Sequence, residues 1–158
     1  MADETMQARE IYEKFCSMLD SNDWHYTRHD DDLIITCGAR GEDLPMDLLI
    51  RVNDLAKVVV VYSSMPYRVA EDKRVDLAMA VCVANYGMIQ GSFSYDITDG
   101  EIRYKLVQSY RDNEISESYL EYMLMLSVHI IDEYNDKFLM IDKGILPLQK
   151  FIESEYSN

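Results

Sequence analysis

Asp99-Gly100 sits between two segments that alternate strictly. Before it, Phe93, Tyr95 and Ile97 alternate with Ser92, Ser94 and Asp96; after it, Ile102, Tyr104 and Leu106 alternate with Glu101, Arg103 and Lys105. A period of two sends alternate side chains to opposite faces of a strand, and Asp-Gly between two such runs is the strongest short-range sign of a β-hairpin. One face of this hairpin is apolar and the other polar. Such a sheet buries one side under helices and leaves the other to water or a partner.

The segments upstream fit the same sheet. Trp24 to His29, Leu33 to Arg40, Met46 to Asn53 and Val58 to Ser63 read as extended. Short polar turns join them at Asp30-Asp31-Asp32, residues 41–45 and Asn53-Asp54, where carboxylate and amide side chains bond their own backbone. Four strands joined this way form an antiparallel meander. Pro66 then marks a change of period.

The helical segments flank these strands. Ala8, Ile11, Phe15, Met18 and Leu19 recur at helical spacing between Asp3 and Asp20. Val75, Ala78, Met79, Cys82 and Tyr86 share one face of a helix predicted over 71–86, and Gly87 stands where helices commonly stop. Ser116 is placed as an N-cap, with Ile115 and Leu120 positioned as a hydrophobic staple. The long helix it starts reaches toward Lys143, with Gly144 beyond it, and Leu146-Pro147 opens a last short helix to about Ser154. The order α, four β, α, two β, α, α excludes alternating βαβ units. The expected class is α+β: an antiparallel sheet of a four-strand meander plus a hairpin, with helices packed on one face. With 158 residues and no Pro-rich or Gly/Ser linker, residues 1–158 are expected to form one domain.

One stretch carries a family pattern. Ala84-Asn85-Tyr86 is followed by Gly91-Ser92-Phe93-Ser94-Tyr95-Asp96 and by Asp99-Gly100-Glu101-Ile102-Arg103-Tyr104, with Ser63-Ser64-Met65-Pro66 and Lys73-Arg74 before and Gly144 after. This order of Asn, Gly-x-Phe and Asp-Gly-Glu-Ile-x-Tyr resembles the YbjN family from about residue 10 to 150. The family's assigned role is bacterial sensory-transduction regulation, and its fold is related to that of type III secretion chaperones. The resemblance implies an α+β fold, a bacterial cytoplasmic setting and a protein-binding or regulatory role, and it brings no catalytic residues with it.

Charge narrows the function. Lys plus Arg number 15 and Asp plus Glu 29, a net charge of −14. Nucleic-acid affinity comes mostly from cations neutralising phosphates, so neither nucleic acid nor an anionic membrane surface is an expected partner. The longest apolar run, Leu77 to Ala84, is far short of the roughly 20 residues that span a bilayer. The first residues lack the basic-then-apolar pattern of a signal peptide. Cys16, Cys37 and Cys82 are too widely spaced for a zinc ribbon or a C-x-x-C redox pair, and they suit small buried side chains in a reducing cytoplasm.

Chemical motifs are sparse. His25 and His29 share a strand face but lie about 13 Å apart, too far for one ion. The run starting at Asp30 places Ile34 and Ile35 where a calcium loop needs a ligand and Gly. No phosphate loop, nucleophile elbow or dinucleotide fingerprint occurs, so no enzyme activity and no cofactor are expected. His129, Asp132 and Glu133 share one face of the long helix and are the candidate lining of a small-ligand or catalytic pocket; the alternative is a solvated polar patch.

The same helix gives the preferred candidate. Leu120, Met123, Leu124, Ser127, Ile131 and Tyr134 form the stripe expected to cover the sheet, and Tyr122, Met125, Leu126 and His129 lie largely outside it. A helix apolar on more than one face needs a second partner. That partner is another helix of the same chain, a second copy in a homodimer, or a client protein. The expected function is a non-enzymatic binding or regulatory module, a chaperone-like adaptor. Arg68, Lys73 and Arg74 form a local basic cluster, either a contact for an acidic partner or solvated charges at a helix start.

Overall fold

A computed structural model describes residues 2–157. Helix α1 (Ala2–Ser21) leads into strands β1 (Tyr26–His29), β2 (Ile34–Arg40), β3 (Pro45–Asn53) and β4 (Val58–Arg68). A single 3-10 turn at Glu71–Lys73 precedes α2 (Arg74–Gly87). Strands β5 (Ser92–Asp96) and β6 (Glu101–Ser109), then α3 (Glu117–Asp142) and α4 (Leu148–Glu155), complete the chain. All strand pairs are antiparallel, in the order β1-β2-β3-β4-β6-β5. The meander plus hairpin expected from the alternation is therefore present, and β6 rather than β5 docks on β4.

Parity assigns the faces. Ile35, Leu48, Ile50, Val59, Val61, Ile102, Tyr104 and Leu106 are buried on one side of the sheet. Helix α3 packs there on β4 and β6, α1 on β3, and α2 beside β5. The α1 stripe is buried as its spacing requires: Ala8, Ile11, Phe15, Met18 and Leu19. So is the α3 stripe of Leu120, Met123, Leu124, Ser127, Ile131 and Tyr134. Each large apolar side chain fully buried this way is worth about 1.5–3 kcal/mol.

Helix ends follow their local chemistry. Ser116 Oγ accepts the Tyr119 N–H at 3.2 Å, an N-cap worth about 1 kcal/mol. Ile115 and Leu120 are both buried. At the far end Gly144 has φ +70°, and Ile145 N–H returns to the Met140 carbonyl at 2.9 Å. A residue with positive φ at this point lets the chain satisfy the last carbonyls before it turns into α4.

Two local readings are corrected. Strand β4 does not end before Pro66 but continues to Arg68. The ladder to β3 stops at Asp47–Ser64, and the register with β6 shifts between Ser64 and Arg68. Pro66 therefore sits at an irregularity, where its missing N–H breaks no regular ladder bond. On α2 the buried residues are Leu77, Ala80, Val81 and Ala84. Val75, Met79 and Tyr86, expected inside, are 69%, 51% and 81% exposed, and Cys82 is exposed with them. Both sides of α2 are apolar, so period alone could not choose between them. The small Ala80 and Ala84 lie on the side that packs inward.

Candidate functional site

The residues of the family pattern meet where α2, β5 and β6 join. Asn85 Oδ1 accepts the Phe93 N–H at 2.7 Å, and Asn85 Nδ2 donates to the Phe93 carbonyl at 3.1 Å. One side-chain amide thus pairs with both backbone groups of a residue on the edge strand. The Tyr104 hydroxyl donates to the Gln90 carbonyl at 2.7 Å, and a Cβ on Gly91 (φ +67°) would lie 2.2 Å from that hydroxyl. Gly100 (φ +80°) is buried; a Cβ there would lie 2.5 Å from the Val69 carbonyl oxygen, which belongs to the segment between β4 and α2. Val69 N–H in turn donates to the Gly100 carbonyl at 3.0 Å. Phe93 then stacks edge-on against Tyr104, Tyr134 and Phe138. Every one of these residues is occupied in building the corner, and none presents a free reactive group.

The basic cluster is also occupied. Arg68 pairs with Glu101 at 3.0 Å, Lys73 approaches Asp76 at 3.9 Å, and Arg74 donates to the Thr98 carbonyl at 2.7 Å. Asp96 accepts from both the N–H and the hydroxyl of Thr98, and these bonds hold its carboxyl below the usual range.

The outer side of α3 is different. Tyr122 and Met125 are 44% and 49% exposed, His129 is exposed, and Leu126 is half-buried against the core. The Tyr122 hydroxyl bonds the Gln90 side chain, and its ring leans on Tyr119. Gln90 follows Ile89, which is 99% exposed. The apolar outer side of α3 is thereby linked to the loop after α2.

Asp132 and Glu133, two of the three residues proposed to line a pocket with His129, face different partners. Asp132 Oδ1 accepts the Glu42 N–H at 2.9 Å and lies against Gly41, fastening the β2–β3 loop to α3. Glu133 lies 3.9 Å from Lys137 Nζ. Among the described residues no three His, Cys, Asp or Glu side chains gather as metal ligands. A hollow of about 410 Å³ lies elsewhere, between the end of β6 and the start of α3, beside Gln108, Ile115 and Tyr119. Burial pushes the Cys37 thiol up to about 11, which leaves little thiolate at neutral pH. Among the described residues no helix is long and apolar enough to cross a membrane.

A third surface is the open face of the sheet that the alternation predicts, and sequence reasoning missed only the basic residues gathered on it. Three central cross-strand rows lie on the side of the sheet away from the helices, flanked at one end by the row of Arg68, Glu101 and Asp96. One row runs Gly38, Asp47, Ser64, Arg103, Ser94; the next runs Thr36, Leu49, Tyr62, Lys105, Ser92; the third runs Ile34, Arg51, Val60, Val107. Arg51, Arg103 and Lys105 therefore lie on one face, with the Arg103 guanidinium 4.6 Å from the centre of the Tyr62 ring. The signal was available: all three bases fall at the positions out of phase with the core residues.

Among the described residues the buried Ser63 hydroxyl and the Asn135 amide both lack a hydrogen-bond partner. Asn135 on α3 is fully buried, and neither its side-chain oxygen nor its nitrogen has a partner among the described residues. Its backbone carbonyl accepts from the Tyr67 hydroxyl at 2.8 Å. Nearby in the chain, Asp142 accepts the Ala70 N–H at 2.8 Å and lies 2.9 Å from Lys143 Nζ.

Comparison with known proteins adds the family. No curated protein matches the sequence. The fold is similar to a solved structure titled "Crystal structure of YbjN, a putative transcription regulator from E. coli", with a TM-score of 0.60. That likeness covers 80% of this chain and 92% of the other at 13% identity, and it concerns the fold alone. The family model YbjN, described as "Putative bacterial sensory transduction regulator", matches residues 12–140. That span takes in the sheet, the Asn85 to Tyr104 corner and most of α3, and the chain belongs to the YbjN family.

Proposed function

We propose that this chain is a non-enzymatic regulatory module of the bacterial cytoplasm, a chaperone-like adaptor that binds another protein through the outer side of α3. Tyr122, Met125, Leu126 and His129 form the contact. The observation that carries this reading is the exposure of Tyr122 and Met125 on a helix whose opposite side is fully used by the core. Met and Tyr suit such a surface, since both offer apolar area that adapts to a partner. The family's regulatory description supports the reading. A ligand pocket built on His129, Asp132 and Glu133 has less support, because Asp132 is already engaged by the backbone of Glu42.

The test is site-specific photocrosslinking in cells of the source bacterium. A benzophenone side chain placed at Met125 is compared with one at Leu55, an exposed position on the β3–β4 turn. The expected result is one adduct of defined mass from position 125, absent from position 55 and lost when Tyr122→Glu is added. The same pattern of adducts from both positions, or none from 125, overturns the reading. An adduct of twice the chain mass identifies a homodimer in place of a client.

A further inference from the structure

From the charge arrangement we infer that the open face of the sheet is a docking surface for an extended acidic segment of a partner protein. This rests on the protein-binding reading but uses a different face and names the partner's chemistry. The chain has 29 acidic and 15 basic residues. Yet the three central rows of the open face hold three cations, Arg51, Arg103 and Lys105, and one carboxylate, Asp47; in the row beside them Glu101 is paired with Arg68 and Asp96 is bonded by Thr98. Several other cations are committed, Arg28 to Glu13, Arg68 to Glu101 and Lys150 to Glu153, while Arg40 and Arg111 lie apart from the three central rows. Arg51, Arg103 and Lys105 enter none of the ion pairs formed among the described residues.

Between the cations lie apolar side chains. Val60 is buried on this face, outside the main core, and stands between Arg51 and Val107 in the ladder. Val107 is exposed, and Leu49 and Tyr62 are half-buried. Arg103 and Lys105 are two residues apart on one strand, a separation of about 7 Å. An extended peptide repeats its side chains at the same spacing. Carboxylates at positions i and i+2 of such a peptide can meet Arg103 and Lys105, while an apolar side chain at i+4, on the same face of the peptide, lies over Val107 and Val60. The acidic remainder of the surface repels a free polyanion and a second copy alike, so a short acidic segment with apolar residues fits better than a long nucleic acid.

Fluorescence anisotropy with the full chain tests this. The probe is a fluorescein-labelled dodecapeptide of two Glu-Ser-Glu-Ser-Leu-Ser repeats, which puts Glu and Leu on one face of the extended peptide and Ser on the other. The same peptide with Gln for Glu and a 12-nucleotide single-stranded DNA serve as comparators. The Glu peptide should bind best and weaken as salt rises from about 50 to about 300 mM. Arg51→Ser with Arg103→Ser and Lys105→Ser should lower its affinity by about tenfold or more, with circular dichroism unchanged. Arg51→Lys with Arg103→Lys should retain binding, which keeps the test valid where the triple variant folds poorly. Tyr122→Glu should leave this binding intact, so failure here is separable from failure of the α3 contact. Equal binding of the Gln peptide, tighter binding of the DNA, or undiminished binding by a folded triple variant overturns the proposal. So does a concentration-dependent dimer that the triple variant abolishes, since the face would then belong to a second copy.

Discussion

The corner formed by α2, β5 and β6 and the open face of the sheet share strand β6 and treat their side chains in opposite ways. In the corner, Asn85, Gly91, Gly100 and Tyr104 each meet a specific backbone or hydroxyl group. On the open face, Arg51 and Lys105 meet none of the described carboxylates, and Val107 stands in solvent. Residues of one strand thus serve two purposes according to parity: Ile102 and Tyr104 hold the fold, while Arg103 and Lys105 are available to something outside it. The comparison teaches that the pattern marking the family reports how the corner is built, and that partner contacts are to be sought where side chains are left unmatched.

Substitutions can break this contrast, and the largest effect belongs to the corner. Gly100→Ala forces a Cβ against the Val69 backbone at a positive φ, and should cost about 3 kcal/mol in urea unfolding. A loss below about 1 kcal/mol would show that the Val69 segment can yield. Next, Asn85→Ala leaves the Phe93 N–H and carbonyl without their partner, at about 1–3 kcal/mol. It also frees the β5 edge, so static light scattering should register more self-association than the parent chain shows. Third, Asn135→Leu removes a buried amide without partners and should raise stability by about 1 kcal/mol. A loss instead would mean that the amide is bonded in solution. The smallest effect is expected on the open face: Arg51→Ser with Lys105→Ser should move the unfolding free energy by no more than about 0.5 kcal/mol. A larger loss would place these two cations in the fold rather than at an interface.

Much of this was legible in the residues because side-chain period and turn chemistry are local. The meander, the hairpin, the α1 stripe and the buried stripe of α3 follow from spacing, and Ser116 and Gly144 mark the ends of α3 as their chemistry dictates. The hairpin loop is wider than a two-residue turn: it spans residues 97–100, closed by the Gly100 N–H on the Asp96 carbonyl at 2.8 Å. The face of α2 was not legible, since Val75 and Met79 on one side match Leu77 and Val81 on the other in hydropathy, and only the partner element selects between them. Strand β4 was read too short because Pro66 is ordinarily a stop, and only the register shift beside it explains the continuation. The pairing of Asp132 with the backbone of Glu42 spans 90 positions, beyond the reach of any local pattern. For the outer face of α3, sequence supplied the residues and the structure supplied their exposure.

The Asn85 amide has one more implication. It occupies, with a single side chain, the outward N–H and carbonyl of Phe93 at the middle of the β5 margin, so an added strand must displace it to pair there. The opposite margin offers only the four residues of β1, where Arg28 is tied back to Glu13. Polymerisation by strand addition is therefore obstructed at one end and given little purchase at the other. A molecule with both margins guarded this way can keep a sticky, uncovered sheet in a crowded cell without seeding fibres.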